Sequence, residues 1–395
     1  MSNLFDYLVW RGDLTFRQSP PNPVDYLIFC CLSYLEFAGI VPSDAQSLSL
    51  ADAASAYFSL PPEQRHARVA EDQELLAAMQ KSRRFSSLRL SHYVNEIDAA
   101  AQSQFSALTV LTEEEDAIVI YRGTDSTLVG WIEDFNMSFM TQVPAQTRAV
   151  TYLTEAAEQV SGSLSIAGHS KGGNLAVYAA AHCAPPLQQR IQAVYNNDGP
   201  GFTAAVIGNP GYRAIVGIIK TFVPQSSFVG LLLEHEEPYT VIHSTQTGIM
   251  QHDPYSWEVM GTDFIRLESV TKSSRFFDQT LKTWLAHMDA AQRSRLIGVV
   301  CQLLQATNAE RVDQLTSEWL RNAGLMLRSF ASLDKETRQQ IFQMLSRLVL
   351  AARQNLYHVA PKPFQRFRPA SSAGPDASPP AQLPPSQDAD DREQF

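Results

Sequence analysis

The stretch LSIAGHSKGGNLAVYAA, Leu164 to Ala180, constrains the fold more than any other part of the chain. Leu164-Ser165-Ile166-Ala167 reads as a short buried strand, and the alanine-rich run from Asn174 to Cys183 reads as a helix. Only Gly168-His169-Ser170-Lys171-Gly172-Gly173 separates them. A chain that passes so abruptly from strand to helix must bend its backbone sharply, and flanking glycines let neighbouring main chains approach closely. Ser170 then projects from the apex, above the sheet and at the positive end of a helix. A small residue in a tight turn is the simpler explanation, and G-x-S-x-G by itself is weak. Strand, bend and helix coincide here, which favours Ser170 as a nucleophile.

The surrounding pattern fits an α/β sheet. Ala107 to Leu111 and Ala117 to Tyr121 are short apolar runs joined by the acidic turn Glu113-Glu114-Glu115-Asp116, which predicts a hairpin. A helix is expected around Gln146 to Val160, and further strands at Ala193 to Asn196, Lys220 to Val223 and Tyr239 to Ser244. Short buried strands alternating with helices predict a sheet covered on both faces. Residues before about Ile97 read as mostly helical. After about Phe264 the strand signal fades, and apolar stripes at helical spacing, such as Ile341, Leu345 and Leu348, predict a packing layer of helices. The expected divisions are an N-terminal helical region over 1–100, a core over 101–264, a helical lobe over 265–358 and a tail over 359–395. That tail holds 8 of the 22 prolines and ends in an acidic run, so it is expected to be disordered.

Composition narrows the function classes. The net charge of −10 argues against a nucleic-acid surface, which needs clustered Lys and Arg. Met1 to Asp6 lacks a basic segment leading into an apolar one, so no leader is expected. Tyr26 to Val41 is too short to span a bilayer and contains Glu36, so no transmembrane segment is expected either. Cys30, Cys31, Cys183 and Cys301 have neither metal-ligand nor disulfide-framework spacing. Buried free thiols suit a reducing compartment, and a cytoplasmic location is expected. No metal and no organic cofactor is expected.

A serine nucleophile needs donors for the oxyanion it creates. One is the main-chain N–H of Lys171. The loop Tyr121-Arg122-Gly123-Thr124-Asp125, after an earlier strand, fits the place of the second, with Thr124 offering its N–H and its hydroxyl.

At these residues the chain resembles a family. Tyr121-Arg122-Gly123-Thr124 followed by Trp131-Ile132-Glu133-Asp134-Phe135 is similar to the R-G-[ST]…D-W-x-x-D-[LF] stretch of class 3 (fungal-type) lipases, and Gly168-His169-Ser170-x-Gly172-Gly173 is similar to their G-H-S-x-G-G. Tyr7 to Leu14, Asp198-Gly199-Pro200-Gly201-Phe202 and Gln251-His252-Asp253-Pro254-Tyr255-Ser256-Trp257 resemble a bacterial branch of lipase-like proteins of unassigned function. The lipase likeness spans roughly Phe105 to Trp257, and the branch likeness extends through the N-terminal helices. It implies an α/β-hydrolase fold, a class 3 lipase-like core with helical N-terminal and C-terminal additions. It also implies that Asp125, Trp131 and Asp134 brace the oxyanion loop. The Lys171 side chain departs from the usual apolar residue and is expected to reach solvent, an anionic head group being the other reading.

A serine hydroxyl also needs a histidine base held by a carboxylate, and in this fold the chain order is serine, acid, histidine. Of the histidines after Ser170, His182 lies on the helix leaving the turn, His235 falls beside Glu234, His243 falls in a strand, and His287 and His358 belong to the helical lobe. His252 stands in a loop after the last strand, where a base is presented, and the resemblance points to the same residue. Asp198, at the carboxyl end of the strand Ala193 to Tyr195, is the first choice of acid. An Asx turn is its structural alternative. The resemblance would place the acid after the following strand, but Pro224-Gln225-Ser226-Ser227 offers no carboxylate there. Glu234 is the second choice and Asp253 the third.

The expectation is therefore a serine hydrolase acting on a small-molecule acyl ester, thioester or lipid through Ser170, His252 and Asp198. The alternatives are a non-catalytic scaffold of the same fold and a peptidase or acyltransferase with the same three residues.

Overall fold

The computed structural model describes residues 2–112, 116–125, 127–137, 142–307 and 319–359. The turn residues Glu113 to Glu115 and the proline-rich tail beyond Val359 lie outside them.

Five strands form the parallel centre of a mixed sheet: β4 (Ala117–Tyr121), β5 (Leu164–His169), β6 (Ile191–Asn197), β7 (Ile219–Pro224) and β8 (Tyr239–Ile242). On one side the sheet continues antiparallel through β3 (Ser103–Leu111), β2 (Arg89–Asp98) and β1 (Leu48–Ser49). A separate ribbon of β9 (Val259–Met260) and β10 (Asp263–Phe264) precedes β11 (Arg266–Leu267), which pairs with β8 and closes the other edge. The order across the sheet is β1-β2-β3-β4-β5-β6-β7-β8-β11. The strand pattern expected between Ala107 and Ser244 is present, including the hairpin.

The N-terminal region differs from the helical expectation. It contains α1 (Leu4–Arg11), α2 (Pro23–Leu32), α3 (Leu50–Ser59) and α4 (Ala70–Lys81), but also the ten-residue strand β2. The pairing of β2 with β3 shifts between Ser91 and Val94, where His92 adopts φ +51°. This bulge breaks the two-residue alternation that marks a strand in sequence. Beyond Phe264 the two-residue β11 likewise carries too little pattern to be read.

Both faces of the sheet are covered because each central strand sends alternate side chains to opposite sides. Along β4, Ile118 and Ile120 join the cluster made with the N-terminal helices, whereas Ala117, Val119 and Tyr121 join the opposite one. The first layer is led by α2, in which nine of ten residues are buried. The second consists of α5 (Leu128–Met137), α6 (Pro144–Glu158), α7 (Lys171–His182) and the short α8 (Pro185–Gln188), α9 (Ala204–Ile207) and α10 (Pro210–Ile215). Each fully buried aliphatic side chain in these layers stabilises the fold by about 1.5–3 kcal/mol. The N-terminal layer is further fixed by a buried ion pair, Arg84 Nη2 to Asp25 Oδ2 at 2.6 Å, with the Tyr7 hydroxyl donating to Asp25 Oδ1 at 2.9 Å.

The chain then runs through α11 (Lys272–Ala286), α12 (Ala290–Gln305), α13 (Trp319–Ser332) and α14 (Lys335–Val359). Met288, Val299, Ile341 and Met344 form a small core of their own there. No described helix is long and apolar enough to cross a membrane.

Candidate active site

The bend after β5 is as sharp as its sequence requires. Ser170 has φ +59° and ψ −132°, a conformation that costs a non-glycine residue about 1–3 kcal/mol. The surroundings enforce it. A Cβ on Gly168 would lie 2.0 Å from the carbonyl of Gly172, and one on Gly172 would lie 2.1 Å from the carbonyl oxygen of Tyr121. Only glycines let β4, β5 and α7 approach so closely. Ser170 N–H donates to the Asn197 carbonyl at 3.0 Å, which ties the bend to the end of β6.

Asp198 follows Asn197 directly and is fully buried. It has φ +52°, and its N–H donates to the Phe222 carbonyl of β7 at 2.8 Å. Its carboxylate is shared. Oδ2 lies 2.6 Å from His252 Nδ1, while Oδ1 accepts the Ser227 hydroxyl at 2.5 Å and the Gly230 N–H at 3.2 Å. The loop after β7 thus supplies Ser227 to the Asp198 carboxylate. Glu234 and Asp253 point elsewhere: Glu234 faces Lys282 at 3.5 Å, and Asp253 faces Arg68 at 3.2 Å.

His252 ends a single 3-10 turn, Gly248–His252, and its side chain is one-quarter exposed. A buried histidine holds its main chain. His169 Nε2 lies 2.8 Å from the His252 carbonyl oxygen, and His169 Nδ1 lies 2.9 Å from the Tyr34 hydroxyl. A carbonyl only accepts, so Nε2 carries the proton and Nδ1 accepts from Tyr34. The two imidazole rings lie 4.6 Å apart. Burial, followed by the nearby His252 and Arg68, pushes the His169 pKa well below the ordinary histidine value, which keeps the ring neutral. The rest of the loop is also held. Trp257 Nε1–H donates to the Gln251 carbonyl at 2.9 Å, and the Tyr255 hydroxyl donates to Asp72 at 2.9 Å.

The loop after β4 lies against the bend. A Cβ on Gly123 would meet the Tyr34 hydroxyl at 2.2 Å, the His169 carbonyl oxygen at 2.6 Å and Ser170 Cβ at 3.1 Å. Thr124 follows, and its hydroxyl donates to Asp134 Oδ2 at 2.5 Å. With its one proton used on Asp134, the Thr124 side chain has none left for an oxyanion; only its main-chain N–H remains. Desolvation raises the Asp134 pKa to about 6 against the lowering pull of Lys171 and the Thr124 bond. Asp125 accepts the N–H and hydroxyl of Thr127 at 2.8 and 2.5 Å, and Arg122 lies 3.3 Å from it. Trp131 falls on α5, and its side chain lies outside the described residues.

Lys171 corrects a sequence expectation. Its side chain is buried, not solvent-facing, with Nζ 2.7 Å from both the main-chain and side-chain oxygens of Gln104 and 3.0 Å from Glu133 Oε2. Glu133 also accepts the N–H of Gln104 and of Ala145. The ammonium therefore joins the start of α7 to β3 and α5 from beneath. The Lys171 N–H stays in the first turn of α7, where main-chain donors have no acceptor within the helix.

Sequence reasoning passed over His169, Tyr34, Arg68, Ser227 and Glu133. Of these, only His169 carries a local signal, as the residue before Ser170 in the G-H-S motif. A cavity of about 270 Å³ lies at the other end of the sheet, beside Ala117, Ser163 and Ser165, and includes none of these groups. Among the described residues no cluster of three His, Cys, Asp or Glu could hold a metal ion. All four cysteines are buried and free.

The family model described as Mbeg1-like matches residues 79–302, more than half of the chain. Similar solved structures include the Rhizomucor miehei lipase propeptide complex, at 14% identity over 48% of this chain and 71% of that one, with a TM-score of 0.33. M37 lipase is similar at 13% identity over 53% of this chain and 69% of its own, with a TM-score of 0.36. A triacylglycerol lipase from Penicillium expansum is similar at 14% identity over 45% and 73%, with a TM-score of 0.30. No curated protein matches.

Proposed function

The chain belongs to the Mbeg1-like family, and from that premise we propose that it is a serine hydrolase of α/β-hydrolase fold that cleaves a carboxylic ester or thioester. The observation that carries this reading is the strained Ser170, at φ +59°, whose neighbour His169 bonds the His252 carbonyl and whose own N–H bonds Asn197, the residue before Asp198, together with the His252–Asp198 pair, Nδ1 and Oδ2 2.6 Å apart.

In this reading Ser170 Oγ attacks the acyl carbon while His252 Nε2 takes its proton. The Nδ1–H of His252 donates to Asp198, which fixes the tautomer and stabilises the imidazolium that forms. The main-chain N–H groups of Lys171 and Thr124 receive the oxyanion, with Asp134 and Asp125 bracing the Thr124 loop. The tetrahedral intermediate collapses, His252 gives its proton to the departing oxygen or sulfur, and the acyl group stays on Ser170. Water, deprotonated by His252, then attacks the acyl-enzyme; the acid is released and the serine restored. The substrate class is an acyl ester or lipid.

A fluorophosphonate probe tests the proposal. Wild-type protein should be labelled covalently, and Ser170→Ala should not. Failure to label the folded wild-type chain would instead support a non-catalytic scaffold. With labelling in hand, turnover of p-nitrophenyl esters against acyl-CoA thioesters distinguishes oxygen from sulfur leaving groups.

A further inference from the structure

The last two helices present an apolar face that stays exposed among the described residues. On α14 the positions 335, 338, 342, 345, 349, 352 and 356 recur at alternating spacings of three and four and so share one side of the helix. Met344 and Ala351, on the other side, are buried, as is Ile341 at the margin of the stripe. On the shared side Phe342, Leu345, Val349 and Leu356 are exposed, by 62%, 43%, 53% and 57%. Phe330 of α13 meets Phe342 with ring centroids 5.7 Å apart, and α13 adds exposed Leu320 and Leu327, both at 69%. Isolated exposed leucines are ordinary, but a continuous stripe of them is not.

Charge indicates what this stripe meets. Residues 319–359 carry six cations, Arg321, Arg328, Lys335, Arg338, Arg347 and Arg353, against Asp334 and Glu336. That is a net +4 within a chain of −10. Lys335 and Arg338 stand on the stripe at its start, and Arg353 borders it near its end. A second copy of the chain is a poor occupant for electrostatic reasons. Parallel pairing sets Lys335 and Arg338 against themselves, and antiparallel pairing sets them against Arg353. An anionic bilayer surface takes the apolar side chains at its acyl boundary and the cations at its headgroups. No described helix is long and apolar enough to span a bilayer, so a helix docked there would lie along its surface.

We propose that α13 and α14 form a docking face for anionic membrane surfaces, with Phe342, Leu345, Val349 and Leu356 entering the interface and Lys335, Arg338 and Arg353 engaging lipid phosphates. This proposal is independent of the hydrolase reading.

Co-sedimentation of the full chain with vesicles tests it, comparing phosphatidylcholine alone with phosphatidylcholine containing phosphatidylglycerol. Binding should appear with the anionic vesicles and weaken as salt is raised. Arg353→Glu should weaken it at least about fivefold, the value of one cation near such a surface. Lys220→Glu, an equal change of net charge on β7, should leave it unchanged. Val349→Asp should also weaken binding, with thermal melting used to show that each variant is folded. Three results would overturn the proposal: no binding to either vesicle, an equal loss in Lys220→Glu and Arg353→Glu, or a dimer in solution that Val349→Asp dissociates.

Discussion

His169 holds His252 by its backbone: the Nε2–H of one donates to the carbonyl oxygen of the other at 2.8 Å. The residue preceding the candidate nucleophile therefore positions the candidate base, 83 residues further along. Tyr34 completes the chain of contacts from the N-terminal layer.

This arrangement makes a prediction about acid stability. His169 is held neutral in the folded protein, well below the usual histidine pKa, whereas in the unfolded chain it protonates near pH 6.5. The unfolded state thus gains a proton that the native state refuses, and stability falls as pH drops below about 6.5. The slope from this group approaches about 1.4 kcal/mol per pH unit. Urea unfolding of wild type and His169→Asn across that range should show the extra slope only in the wild type. Parallel curves would mean that the ring is protonated in place.

The choice of acid is open to direct measurement. Asp198→Asn leaves shape intact but loses the charge that fixes His252, so hydrolysis should fall by about 10³–10⁴-fold. Glu234→Gln should stay within about twofold, because Glu234 faces Lys282 on the surface. The reverse ranking would transfer the role to Glu234.

Lys171 and Glu133 are buried together, and breaking such a pair leaves a charge without its counter-ion. Lys171→Met should cost about 3–5 kcal/mol of unfolding free energy. The double variant with Glu133→Gln should recover part of that, since it removes the unpaired buried charge while its amide oxygen still accepts one of the two N–H groups, Gln104 or Ala145, that Glu133 holds on separate oxygens. Thermal and urea unfolding measure both. A lysine that in fact reached solvent would make the single change nearly neutral.

Asp134 gives a pH dependence of opposite sign to that of His169. Its pKa is raised to about 6 in the fold, from about 3.9 when unfolded. The native state binds the extra proton, so this contribution to stability is complete below pH 4 and is lost as pH rises through 6. Relative to Asp134→Asn, the wild type should lose about 1–2 kcal/mol between pH 4 and 7, a figure reduced because the side chain is partly exposed. A constant difference across that range would show that Asp134 is already ionised at pH 4.

The central sheet is legible in the sequence because strands buried on both faces are nearly continuous apolar runs, as Ala117 to Tyr121 shows. The bend at Ser170 is legible because only small residues fit where β4, β5 and α7 converge. β2 is not: half of it faces solvent, and the bulge at Ser91 to Val94 interrupts its alternation. The burial of Lys171 is equally hidden, since its partners Gln104 and Glu133 lie 67 and 38 residues away. The position of Asp198 at a strand end is readable, but its contact with His252, 54 residues on, comes from the folding of two loops toward each other.

The outermost strands of the large sheet, β1 and β11, are two residues each. A strand edge attracts other strands through its row of unpaired backbone groups, and a two-residue edge offers almost none. The longer β2 is shielded along its first half by the segment from Pro42 to Ser49, whose carbonyls at Pro42 and Asp44 accept from Tyr93 and His92. Its remaining residues bring Glu96 and Asp98, so a foreign chain seeking to extend the sheet there would have to lie alongside two carboxylates. Edge-to-edge extension of the sheet is thereby disfavoured on this side.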